Sequence, residues 1–214
     1  MTKRLIKLFL GLIMFGLGLS FVYFANIGLD SWNSLHSAIS NFTGIPIGYV
    51  SVIVAGGAFF LAVALGEKFG LGTIADSLIV GPVFQFIIDS NVFEMQTEVL
   101  PSLVYISLGM AITALGALLY MSSGFGAGPR DSMYLGLSKK FGLQVGTTKL
   151  ICEVLVVVLA YFLGGLVGWG TFLNAIFSGL FLQAFIFILK FDPKKVDQEN
   201  IFQSIENFRK LKKS

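Results

Sequence analysis

The sequence predicts an all-α polytopic membrane protein, with six transmembrane helices arranged as two inverted three-helix repeats and a short extra helix after the first span of each. Three observations carry this. The chain is 55% apolar and only 13% charged, with a mean hydropathy of +0.83, which leaves too little polar surface to keep a 214-residue globule in water. Six segments are long enough to cross a hydrocarbon core, which takes about 20 helical residues. The chain is also written twice: IGLDSW…LGEKFGLGT…GPVFQ over 27–85 returns as AGPRDSM…LGGLVGWGT…SGLFLQ over 127–183. Three spans per copy is an odd number, so the second copy must sit upside down relative to the first, as in many secondary transporters.

The first span, 5–25, follows Lys3, Arg4 and Lys7 and imitates a secretion signal, but its partner around Gly116 is internal, so it is read as a retained span. DSWNSLHSAISNF, 30–42, reads as a short helix started by Asp30 or Ser31, either of which can accept from free N–H groups. Trp32, Leu35, Ile39 and Phe42 share one face, and Asn33, His36, Ser37 and Ser40 the other. Spans two and three cover 48–66 and 73–90. Spans four to six cover 100–122, 146–165 and 172–190, with a second short helix, DSMYLGLSKKF, from Asp131.

Matching residue types pairs Gly16 with Gly116, Gly28 with Gly128, and Asp30 and Ser31 with Asp131 and Ser132. Gly44, Gly48, Gly66, Gly70, Gly72, Thr73, Gly81 and Gln85 then pair with Gly142, Gly146, Gly164, Gly168, Gly170, Thr171, Gly179 and Gln183, at an offset of 98. The drop in offset, from 101 to 98, is read as a second short helix about one turn shorter than the first.

Lysine and arginine assign the faces, because short loops keep them cytoplasmic. Lys3, Arg4, Lys7, Lys68, Arg130, Lys139, Lys140, Lys190, Lys194 and Lys195 fall on one side of an alternating pattern, while 23–50 and 89–99 carry none. Both termini are expected in the cytoplasm. The net charge of +3 sits at membrane flanks and calls for no nucleic acid. The expected units are 1–98, 99–191 and a basic tail, 192–214. In the tail, Ile201, Ile205 and Phe208 stand at helical spacing before Arg209, Lys210, Lys212 and Lys213, as a helix on the inner leaflet or a frayed terminus.

Four constellations bear on function. The short helices are either amphipathic helices at the headgroup boundary or half-helices folded into the membrane, where irregular backbone is tolerated only if it is protein-buried or lines a wet cavity. FGLGT and GWGT end in Thr73 and Thr171, at helix starts that attract negative charge or at tight glycine turns. Glu153 lies two turns into span five, where a carboxylate costs about 2.5–3.5 kcal/mol on insertion scales and should face the bundle. With Lys149 one turn earlier, it forms an i, i+4 salt bridge or part of a substrate or proton site. Arg130 and Asp131 form the densest polar knot; Arg130 suits carboxylate or phosphate, or anchors topology. Asp76, matched by Asn174, and Gln85 with Gln183 are further polar candidates, more often helix-to-helix hydrogen bonds than ligands.

His36 is the sole histidine and Cys152 the sole cysteine, so a histidine triad, a multi-histidine metal site and an intramolecular disulfide are unavailable within one chain. GKS-type phosphate loops are absent. No enzyme activity and no cofactor are expected.

IGLDSW, FGLGT, GAGPRD, KLICEV and LGGLVGWGT together resemble the YczE/YyaS/YitT family of bacterial integral membrane proteins, most closely its YczE-like branch, over most of 10–187. In that branch the basic position before the glutamate is usually Arg; here it is Lys149. The resemblance implies a multi-pass protein of the bacterial plasma membrane and little about activity. The expected function is a secondary permease moving a small polar solute, anionic or zwitterionic, by alternating access. Arg130, Asp131, Lys149 and Glu153 would form the inner site and Asp30, Ser31 and Asn33 the outer one, with Thr73 and Thr171 at the two turns. The alternative is a non-transporting membrane scaffold or regulatory partner. The expected partners are the lipid bilayer and the solute, with self-association into a homo-oligomer left open.

Overall fold

The computed structural model describes residues 2–191, 196 and 198–211, with side chains of the last helix described as far as residue 207. Among the described residues the chain forms nine α-helices: α1 (Thr2–Phe24), α2 (Ser31–Thr43), α3 (Ile47–Ala64), α4 (Leu71–Asp89), α5 (Val99–Met121), α6 (Pro129–Phe141), α7 (Val145–Phe162), α8 (Trp169–Ile188) and α9 (Ile201–Leu211). No strand is present among these residues. Six of them, α1, α3, α4, α5, α7 and α8, are long and apolar enough to cross a membrane. Their ends fall close to those predicted.

Close approach of backbone organises the bundle. α1 and α5 pack antiparallel along Gly11, Gly18, Gly109 and Gly116: a Cβ on Gly11 would stand 2.7 Å from the Gly116 carbonyl oxygen, and one on Gly18 would stand 2.8 Å from that of Gly109. Gly11 maps to Gly109, and Gly18 to Gly116, at the offset of 98 that separates Thr73 from Thr171. The pairing of Gly16 with Gly116 is therefore corrected to Gly18 with Gly116. Gly16 instead faces Val80 and Val83 of α4.

The same offset holds through the loops. Gly170 N donates to Ile27 O at 2.7 Å, and Gly72 N to Phe125 O at 2.7 Å. Gly28, at φ +116°, lies against Gly168 and Thr171, while Gly126, at φ +105°, lies against Gly70 and Thr73. A side chain at either loop glycine would meet both a left-handed backbone and an occupied space. Gly28 thus corresponds to Gly126, not Gly128, and Asp30 and Ser31 correspond to Gly128 and Pro129. α2 and α6 each run 13 residues and end on left-handed Gly44 and Gly142, so the second short helix is not a turn shorter. The misalignment followed chemistry: two Asp-Ser pairs are alike as residues but stand at different registers.

The two short helices bridge the halves. α2 packs on α7 and α6 on α3, and their start signals differ: Asp30 caps α2 with its carboxylate, whereas Pro129 opens α6 behind Gly128. The polar face of α2 points inward, with Asn33, Ser34, His36 and Ser37 buried, while Phe42 is 92% exposed.

α9, Ile201–Leu211, lies within the tail. Before it, Glu199 N donates to Gly124 O at 2.8 Å and Ile201 N to Phe69 O at 2.9 Å. The Glu199 carboxylate takes Arg4 Nη1 at 2.5 Å and Asn207 Nδ2 at 3.1 Å. This segment is therefore strapped across the ends of α1 and α5. Asp197, Lys194, Lys195, Lys212 and Lys213 of the expected tail lie outside the described residues, as do the side chains of Phe208, Arg209 and Lys210.

Candidate functional site

The first turns of α2 and α6 approach each other through side chains. Asp30 Oδ1 accepts from Asn33 N at 3.3 Å and its Oδ2 accepts from Asn33 Nδ2 at 2.5 Å. A carboxylate only accepts, so the Asn33 amide is oriented, and its oxygen faces His36 Nδ1 at 3.0 Å. That oxygen also only accepts, so the proton sits on Nδ1. His36 Nε2 is left as a lone pair, buried with no hydrogen-bond partner among the described residues.

Burial, with the Arg130 charge second, holds the His36 imidazole well below its ordinary pKa, so the folded protein keeps it neutral. On unfolding it takes up a proton once the pH drops below about 6.5, so stability is present above that value and lost as the pH falls. The midpoint of thermal unfolding in detergent should therefore drop between pH 7.5 and pH 5, and His36→Gln should flatten that dependence. An unchanged slope in the variant would place the acid sensitivity elsewhere.

Across from Asp30, the Arg130 guanidinium lies over the Trp32 ring, 5.0 Å from its centroid. Trp32 Nε1 donates to the Tyr134 hydroxyl at 2.6 Å. Trp32 and Arg130 are equivalent positions at the offset of 98, so the contact joins matching points of the two halves. A cation over an indole is worth about 0.5–2 kcal/mol, more as water is excluded, and it fixes which way the guanidinium reaches.

Beside this contact is a cavity of about 240 Å³, lined by Asp30 at the cap of α2, Asn33 of α2, Arg130 of α6, Lys149 of α7, Asn174 and Ser178 of α8, and Thr113 of α5, over an apolar wall from α1 and α5. Thr113 Oγ1 is buried without a partner. Glu153 sits behind Lys149, with Oε1 3.8 Å from Nζ, and the side chains are 32% and 53% exposed. Two cations, one carboxylate and several neutral hydrogen-bonding groups thus face one space. That set can hold a carboxylate or phosphate between Arg130 and Lys149 and a cationic or hydroxyl group at Asp30 and Asn33.

The predicted residues divide. Asp30, Asn33, Arg130 and Lys149 come together, with Glu153 adjoining through Lys149. Ser31 and Asp131 do not line the cavity; Asp131 lies on the other side of α6, where its carboxylate, Asp76 and the Tyr120 hydroxyl surround Gly128. Tyr120 OH accepts from Gly128 N at 2.9 Å. Thr73 and Thr171 are buried at the third position of α4 and α8, where each Oγ1 accepts from the N–H of the capping glycine at 3.1 Å. Thr73 also donates to Ala127 O at 2.6 Å. Loop carbonyls at Phe125 and Ile27 occupy those helix starts, so neither faces the cavity. Thr113, Ser178 and Tyr120 were missed: isolated hydroxyls in apolar spans carry no pattern of their own.

A model of a family of unknown function, DUF6198, matches residues 2–187. The chain belongs to the DUF6198 family. Its relatives include an uncharacterized protein of Haemophilus influenzae, 26% identical over 187 residues that cover 87% of this chain and 85% of the relative. The uncharacterized membrane protein YczE of Bacillus subtilis is 28% identical over 181 residues, covering 82% and 81%. The uncharacterized protein YyaS of the same organism is 38% identical over 55 residues, covering 26% and 27%. The likeness to the YczE group read from GAGPRD and its companions is thus a family relationship, and the protein is a multi-pass membrane protein with six apolar helices. No solved structure matches the chain.

Proposed function

We propose that this protein is a secondary transporter that moves a small anionic or zwitterionic solute across the bacterial plasma membrane by alternating access between two inverted units, 1–98 and 99–191. The observation that carries this reading is the cavity. Charged side chains are expensive at membrane depth and mark solute pathways, and here Asp30, Arg130 and Lys149 from three different helices turn to one space where the two half-helices meet.

The paired contacts support the inverted arrangement. Gly11 with Gly116 and Gly18 with Gly109 exchange places under the offset of 98, across helices that run antiparallel. That is the signature of a two-fold axis lying in the membrane plane. Irregular backbone around Ile27 and Phe125 is hydrogen-bonded to the opposite half, Ile27 O accepting from Gly170 N and Phe125 O from Gly72 N, as backbone at depth requires. The lysine and arginine distribution puts both termini in the cytoplasm.

The test is flux. Purified protein reconstituted in vesicles and offered a panel of small carboxylates, phosphate esters and amino acids should accumulate at least one of them. Glu153→Gln should then change the pH dependence of that flux, because it removes the carboxylate paired with the cavity's ammonium. A pH profile identical to the parent takes Glu153 out of the mechanism. Absence of flux, together with co-purification of one stoichiometric partner, favours a scaffold instead.

A further inference from the structure

One difference between the two halves is a contact made in the first and open in the second: α3 packs on α4, whereas α7 and α8 stand apart. In the first half, α3 and α4 are zipped together where α3 begins and α4 ends. A Cβ on Gly48 would clash with the Gly81 carbonyl and stand 2.5 Å from Gln85 Cβ, and a Cβ on Gly81 would clash with the Gly48 carbonyl and the Ser51 hydroxyl. Gln85 Oε1 closes the contact by accepting from Gly48 N at 2.9 Å, and Ser51 Oγ donates to Gly48 O at 2.8 Å.

The equivalents of Gly48, Gly81 and Gln85 are Gly146, Gly179 and Gln183, the same residue types at the offset of 98. Yet a Cβ on Gly146 or Gly179 would meet nothing within 4 Å. α7 packs on α2 and α6, α8 packs on α5, and the cavity opens between them, with Lys149 on one wall and Gly179 on the other. Two glycines suited to close packing thus stand in a half where no neighbour presses on them.

We infer that Gly48, Gly81 and Gln85 form a gate that is closed in this structure, that Gly146, Gly179 and Gln183 form the matching gate that is open, and that the solute pathway is exposed to one face or the other as the two exchange. This rests on the transport reading above and adds the moving parts. The closed gate lies on the face assigned outside and the open one on the cytoplasmic face. Interfaces of packed helices are bistable rather than continuously deformable, so each pair is either locked through its backbone or apart. The fourth position differs: the mate of Ser51 is Lys149. Closing the second gate would bring residue 149 towards Gly179, where Ser51 stands against Gly81 in the first, so the Lys149 side chain must turn aside, towards Glu153 or a bound anion, which links gate closure to the cavity's contents.

Sided labelling tests this without measuring flux. In a Cys152→Ser, Ser178→Cys background, a membrane-impermeant thiol reagent is applied to intact cells and to inside-out vesicles. Gly81→Ala puts a methyl group into the closed gate and should move reactivity at residue 178 from the cytoplasmic to the outer face by several-fold. Gly179→Ala is accommodated in the present state and blocks closure of the second gate, so it should lower outer reactivity relative to its own parent. If Gly81→Ala does not accumulate in the membrane, Gln85→Leu, which deletes the lock's hydrogen bond without crowding Gly48, should shift labelling the same way.

Sidedness unmoved by Gly81→Ala or Gln85→Leu, or shifted the same way by Gly179→Ala, overturns the gate. Shifted sidedness with no flux for any solute keeps the gate and removes transport, whereas flux with unshifted sidedness does the reverse.

Discussion

Gly116→Leu is expected to abolish a monodisperse peak in detergent, because the new side chain has nowhere to go. Its Cβ would stand 2.6 Å from Phe15 N and 2.7 Å from Gly11 O, and both are backbone atoms that no rotamer change can move. Overpacking a core typically costs about 1–3 kcal/mol, and crowding against main chain falls at or above the upper end. α1 and α5 form the central seam of the bundle, and the clusters around Leu12 and Phe84 depend on it. The control is Gly56→Leu on α3, where an added Cβ meets nothing within 4 Å. Size-exclusion profiles and thermal midpoints of the two variants should separate cleanly. Equal behaviour would mean that the α1–α5 approach is not what holds the molecule together.

On the transport proposed above, Arg130→Ala should lower solute flux by about ten- to a hundredfold, the effect of losing a charged hydrogen-bonding partner worth about 1.5–3 kcal/mol. The side chain is poised by its stacking on Trp32 and faces Asp30, Asn33 and Lys149 across the cavity. Arg130→Lys keeps the charge but loses the planar fork and the stacking, so it should recover only part of the loss. Initial rates in reconstituted vesicles, at matched protein content, measure this. Full activity in Arg130→Ala would move the binding site away from the junction of α2 and α6.

The six apolar helices and both short ones were legible because each carries its own local signal. Apolar length marks the spans, Asp30 or Ser31 marks the start of α2, and the run from Asp131 marks α6, which Pro129 opens two residues earlier. The register between the halves was misread over the first 35 residues of each. Identity of type drew Asp30 and Ser31 onto Asp131 and Ser132, whereas Gly18–Gly109 and Ile27–Gly170 contacts place Asp30 opposite Gly128. Asp30, Asn33, Arg130 and Lys149 stood out in the chain because polarity is rare there. Their convergence could not be read, since it depends on which faces of α2, α6 and α7 turn together. Thr73 and Thr171 show the converse: a motif at a helix start is silent on whether a facing loop already occupies that start.

By itself the sequence determined that this is an all-α membrane protein with six apolar spans, because hydropathy and residue type are properties of a segment and need no partner. Only the tertiary structure decided the register of the halves, the residues that line the cavity and the inequality of the two glycine contacts. Those depend on distances between residues far apart in the chain. Gly81 and Gly179 are the same residue at matching positions, yet one is pressed against a backbone carbonyl and the other faces open space.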